Sequence, residues 1–165
     1  SSDGYEFDLV MSPTESIDLS ISGLFMDPIY DSYVGAAAGD LSGTVPSNIP
    51  EDTISSTITW NFDMNGWDSY LRISHLYSSE AFLLENPAHQ ALLEAQGNGF
   101  RKQDTLNFTA GFEKDNLSIS LWGKNINDDE YLTSAFVAVA DLSETTFFGY
   151  PNNYATYGMT LNYTF

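Results

Sequence analysis

The sequence predicts an all-β fold, a transmembrane antiparallel β-barrel, on three observations. The closing residues 154–165 alternate, with Ala155, Tyr157, Met159, Leu161, Tyr163 and Phe165 on one face and Thr156, Gly158, Thr160, Asn162 and Thr164 on the other. Aromatics bounding an apolar stripe, with small polar residues opposite, suit a strand held between lipid and a wet lumen. The same period of two recurs along the chain, giving seven strand candidates in all. Short turns near 13–15, 65–66 and 115–116 alternate with long connections near 31–53, 79–104 and 127–153. That asymmetry belongs to outer-membrane barrels, whose turns are periplasmic and whose loops are extracellular; a soluble sandwich spreads its loop lengths less regularly.

The first strand, Tyr5 to Ser12, sets Tyr5, Phe7, Leu9 and Met11 on one face and turns at Pro13, Thr14 and Glu15. The second, Ser16 to Tyr30, opposes Ile17, Leu19, Ile21, Gly23 and Phe25 to Asp18, Ser20 and Ser22. Ile54 to Asp63 is the third, with Ile58, Trp60 and Phe62 outward, and Asn65-Gly66 reverses it because both residues tolerate positive φ. The fourth, Trp67 to Ser78, places Leu71, Ile73, His75 and Tyr77 outward and Arg72 and Ser74 inward. Thr105 to Lys114 is the fifth, with Leu106, Phe108, Ala110 and Phe112 outward, and Asp115-Asn116 turns the chain into the sixth, Leu117 to Ile126. Tyr154 to Phe165 is the seventh. The middle long connection carries a helix signal: Asn86 caps, Pro87 opens, Ala88, Ala91, Leu92 and Ala95 form a stripe, and Gly97 ends it.

Composition fits this reading. Only alternate residues of a barrel strand meet lipid, so a mean hydropathy of −0.20 is no obstacle. The longest apolar run, 135–140, is far short of the roughly 20 residues of a membrane helix. No signal peptide precedes the first strand, so a mature chain or a fragment is expected. There are no cysteines, which removes disulfide frameworks and thiolate metal sites. The 23 acidic residues against five basic ones give a net charge of −18, which disfavours nucleic acid and anionic inner-leaflet surfaces as partners. The acids fit exposed loops and lumen walls better than divalent-cation sites.

One segment, Gly123-Lys124-Asn125-Ile126-Asn127-Asp128-Asp129-Glu130-Tyr131, resembles the one that opens the last loop of TonB-dependent outer-membrane receptors. Asp40-Leu41-Ser42-Gly43, followed by Pro46 and Pro50, is similar to the family's Gly- and Pro-containing loop ahead of the next strand. The ending from Tyr157-Gly158 to Phe165 is similar to the family's aromatic-Gly terminal strand. Tyr154-Ala155 stands where many members have a Pro-Arg pair, so no role of that Arg carries over. The resemblance runs in order over nearly all of residues 1–165. It implies the C-terminal part of a plugged barrel of about 22 strands, importing a scarce nutrient with TonB-supplied energy.

The implied partners are the remaining strands and plug of the same receptor, the TonB complex through an N-terminal part not in this chain, outer-membrane lipid and the barrel-assembly machinery. The implied location is the outer membrane of a Gram-negative bacterium. No plug or TonB box is expected within 1–165, and Ser1 is expected on the long-loop side, as an end or gap within an extracellular loop. Iron chelates, cobalamin, oligosaccharides and peptides all stay open as substrate.

Substrate contacts, if this chain makes them, are expected from Tyr131, Phe136, Phe147, Phe148, Tyr150 and Tyr154 around the last loop, whose rings could stack on sugars or chelates. Packing of the loop, or an outer aromatic girdle, explains the same rings. By phase Arg72, Trp122 and Lys124 face the lumen, to meet plug or wall carboxylates. Tyr157, Met159, Leu161, Tyr163 and Phe165 read as an assembly signal. No catalytic set, cofactor site or metal site is expected: His75 and His89 have no ligand spacing, and Asn127 to Glu130 reads as a solvated loop base. The competing reading is a structural or interaction β-protein, an adhesin-like or soluble sandwich module with no transport role.

Overall fold

The computed structural model describes residues 1–35, 39–138 and 143–165. Seven strands form one antiparallel sheet: β1 (Ser2–Thr14), β2 (Ile17–Pro28), β3 (Asp52–Asp63), β4 (Asp68–Phe82), β5 (Phe100–Lys114), β6 (Leu117–Lys124) and, at the far edge, β9 (Thr156–Tyr163). They lie side by side in chain order, as successive hairpins require. A second hairpin, β7 (Leu132–Val137) with β8 (Phe147–Pro151), rises from the connection between β6 and β9. The sequence shows this stretch only as a long connection, because its strands, at six and five residues, are too short to show an alternation.

Register decides which residues share a face. Met11, Leu19, Ile58, Ile73, Phe108, Gly123 and Tyr157 are successive cross-strand partners, so one row crosses all seven strands on the apolar face. Two residues nearer the short turns, Ile17, Trp60, Leu71, Ala110, Leu121 and Met159 form another such row. Between them, on the opposite face, run Asp18, Thr59, Arg72, Thr109, Trp122 and Gly158. A slip of one residue between any two strands would break this segregation.

The short turns collect on one rim. Asn65 and Gly66 both take positive φ, and Asp115 does so in the next turn. The first turn lies later than the sequence indicated: β1 runs on through Pro13 and Thr14, and the chain reverses at Glu15 and Ser16. Between Met11 and Thr14 the register shifts, leaving two residues of β1 opposite Asp18 alone. Proline is admitted there because the bulge needs no ladder donor to β2 from it. The other rim holds the long connections, and the ammonium of Ser1 donates to Ile29 O there at 2.8 Å.

The helix α1 (Pro87–Ala95) forms where the sequence placed it, with Asn86 Oδ1 accepting from the Ala88 and His89 amides and Gly97 at φ 84°. Its inward face differs. Gln90 and Leu93 are buried, whereas Ala88, Ala91, Leu92 and Ala95 are exposed. Gln90 accepts from the Leu83 and Leu84 amides and donates to Gly99 O, so a polar residue anchors the helix by closing backbone bonds that an apolar stripe cannot. The buried apolar side chains, Leu41, Ala81, Leu83, Leu93 and Ala138, all lie at this long-loop end. The sheet itself leaves both faces at least partly open, and every residue of β1 is exposed.

Candidate functional site: the last long connection

The hairpin β7–β8 gathers part of the aromatic set. Phe136 pairs with Phe148, their ring centroids 5.6 Å apart, and Tyr150 lies 5.8 Å from Phe136. All three are open to solvent, Phe136 at 41%, Phe148 at 56% and Tyr150 at 62%. Phe147, adjacent in sequence, takes the opposite face and meets the ring of His89 on α1 edge-on at 6.4 Å. Tyr131 sits at the hairpin base, its amide donating to Asn152 Oδ1 at 3.0 Å, and Tyr154 is exposed beyond β8. Three of the six rings therefore form one platform and the other three stand apart.

What holds the hairpin is the 123–131 segment, and it is more than a solvated loop base. Asn125 is buried at φ 50°; its side chain donates to Asp129 O and Asn153 O and accepts from the Asp129 amide, each at 2.9 Å. Its amide donates to Asn107 Oδ1. Asn127 Oδ1 takes the Leu106 amide at 2.9 Å and Asp129 Oδ2 the Asp104 amide at 2.7 Å, so side chains continue the β5 ladder where β6 has ended. Asp128 Oδ1 accepts from the Ala155 amide at the entry to β9, and Asn152 ties Tyr131 to Asp129. The short polar side chains mimic backbone, which is why Asn and Asp dominate the segment. Of these partners, the sequence reading missed Asn107 and Asn152; the Asn152-Asn153 pair was the available signal.

Neighbouring connections are laced to this one. His89 Nε2 lies 2.7 Å from Glu144 Oε2, and Gln96 donates to Thr145 O. On the other side of α1, the Tyr30 hydroxyl donates to Glu85, and Asn48 bonds both Phe82 O and Leu83 O. The hydrogen bond to Glu85 is the main reason the Tyr30 phenol is pushed up to about 12, with burial and the Glu85 charge adding to it. His75 is not isolated on the outer face; Asp104 Oδ1 lies 2.5 Å from its Nε2.

The lumen-phase residues share the polar face. Arg72 Nε donates to Thr59 Oγ1 at 3.1 Å with its guanidinium over the Tyr70 ring, and Lys124 Nζ lies over the Trp122 ring at 5.5 Å. Among the described residues neither cation forms a salt bridge. On the terminal strand, Tyr157, Met159, Leu161, Tyr163 and Phe165 are all well exposed on the apolar side. No group of three or more His, Asp or Glu among the described residues could hold a metal ion.

No family model matches the sequence, and no curated protein matches it. Among solved structures, the chain is similar to the ferric yersiniabactin uptake receptor FyuA of Yersinia pestis, with a TM-score of 0.76 and 14% identity. The likeness covers 99% of this chain and 23% of that one. The chain thus has the fold of a receptor-barrel segment, spanning about a quarter of that chain's length.

Proposed function

We propose that the chain is the C-terminal wall of a TonB-dependent outer-membrane receptor that imports a nutrient. The observation carrying this is the apolar row that crosses all seven strands on one face, with polar side chains opposite and the long connections on one rim. A water-soluble sheet would need a second layer over such a face, and among the described residues none covers it. Lipid is the cover that fits. The outer edges of β1 and β9 are unpaired in the sheet, and in hydrocarbon each open backbone group costs several kcal/mol, so further strands complete the wall. The likeness to a siderophore uptake receptor supports transport as the role of the closed barrel and a plug as its occupant.

The decisive experiment has two arms. The isolated chain, refolded without detergent, is expected to aggregate; a cooperative, monomeric, soluble fold would overturn the proposal in favour of an interaction module. In the bacterium, the full receptor should fractionate with the outer membrane and its uptake activity should vanish when TonB is deleted.

A further inference from the structure

We propose that the aromatic platform on β7–β8 receives a positively charged group, so that the receptor's ligand is cationic where it meets this part of the rim. The inference rests on the receptor reading above and adds a substrate class to it. Two independent features lead to it. The first is geometric: Phe136, Phe148 and Tyr150 present three rings to solvent with centroid spacings of 5.6 and 5.8 Å. The hairpin that carries them is fixed at its base by Asn125, Asp128, Asp129 and Asn152, so the rings are held before any ligand arrives.

The second feature is charge. Residues 29–51 contain three acidic side chains, 83–99 two and 125–155 five, and these three connections together contain no lysine or arginine. The basic residues nearest to them belong to strands. Arg101 donates to Asn48 O, Lys102 lies 4.0 Å from Glu80, and Lys124 lies over Trp122. Within the connections Asp40, Asp128 and Asp129 accept from backbone amides, whereas Asp31 pairs with the Ser1 ammonium, Glu85 accepts from Tyr30 and Glu94 from Gln90. The one imidazole, His89, is taken by Glu144.

A rim of this sign repels an anionic chelate and concentrates cations by long-range attraction. Ring faces carry negative quadrupole potential, and a cation over them is attracted to it. Neutral sugars would also stack on aromatic rings, but nothing in stacking alone calls for a rim this rich in acids. The chemistry that uses both features is an amine or guanidinium on an organic body, as in a small basic peptide.

The test uses the full receptor in detergent or nanodiscs, with amidated trilysine as the cationic probe, maltotriose as the neutral one and a ferric tris-catecholate as the anionic one. Trilysine is expected to bind the tightest of the three and to weaken as salt rises. The double substitution Phe148→Ala with Tyr150→Ala should weaken it about tenfold, while Phe148→Tyr, which keeps a ring, should not. Equal or tighter binding of maltotriose or the catecholate would overturn the proposal, as would trilysine binding indifferent to loss of the rings. Because location and TonB dependence are measured separately, a receptor that imports an anionic chelate defeats this inference alone.

Discussion

The indole of Trp122 lies across Gly158, its cross-strand partner, so closely that a Cβ at position 158 would fall 2.3 Å from Cζ2. The same indole donates from Nε1 to Thr160 Oγ1 at 3.2 Å and carries Lys124 Nζ over its face. Glycine is required here by close approach, and β9 is thereby locked to β6. Gly158→Ala should destabilise the barrel by about 1–3 kcal/mol, the usual cost of overpacking. Trp122→Ala in the same background should recover part of the loss, because it removes the clash. Additive losses in a double-mutant cycle would show that the ring does not control that position.

Lipid exposure predicts an asymmetry between adjacent positions. Ile119 pairs with Leu161 on the apolar face, and Ser120 pairs with Thr160 on the polar one. Ile119→Arg should cost about 2–4 kcal/mol of folding free energy in bilayers if the position lies at mid-membrane, and Ser120→Arg much less. The reverse order would invert the assignment of faces for every strand, since the register ties them together.

The terminal strand should be needed for insertion. Phe165 is fully exposed, and Leu161 and Tyr163 extend its face. Deleting Phe165, or replacing Leu161 and Tyr163 by Asp, should sharply reduce membrane-inserted receptor. Thr164→Ser should not, because Thr164 contributes a backbone amide to Asn116 O. Equal insertion of all variants, assayed by heat-modifiable mobility, would remove any signalling role from these residues.

The seven strands of the sheet were legible because one apolar and one polar face impose a strict period of two, and Asn65-Gly66 left no other place to turn. Pro13 misled because proline reads as a breaker, yet a bulge accommodates it. The helix was legible from Asn86, Pro87 and Gly97, which act locally, but its buried face was not, since Gln90 earns its place through distant amides at Leu83 and Leu84. The aromatic platform was visible only as a crowd of rings. Which of them converge depended on β7–β8 pairing, and that pairing puts Phe147 and Phe148 on opposite faces.

Asn125 offers a test of the loop clamp. Asn125→Ala removes three side-chain hydrogen bonds at a buried position and takes their partner from the Asn153 carbonyl and the Asp129 amide, while Asn152 still serves the Asp129 carbonyl. A buried polar group left without its partner costs about 1–3 kcal/mol. The loss should be local: protease cleavage within 127–153 should accelerate while the wall strands keep their amide protection. Uniform loss of protection across β3 to β6 would show instead that the clamp supports the whole sheet.

The last prediction concerns the link between the first two long connections, where the Tyr30 hydroxyl donates to Glu85. That bond requires a protonated phenol, and it raises the Tyr30 pKa from the ordinary value of 10.0 to about 12. A group whose pKa is raised on folding favours the folded state fully below its unfolded value and loses that contribution as pH climbs through the folded one. The contact should therefore hold throughout neutral pH and weaken only between about 10 and about 12. With ring-labelled tyrosine, one resonance, assigned through Tyr30→Phe, should titrate above the rest. Glu85→Ala should bring it back toward 10.0, because it removes the hydrogen bond, the largest cause of the shift, together with the charge that opposes ionisation. If Tyr30 titrated with the exposed tyrosines in the unmodified protein, the two connections would not be joined at this point.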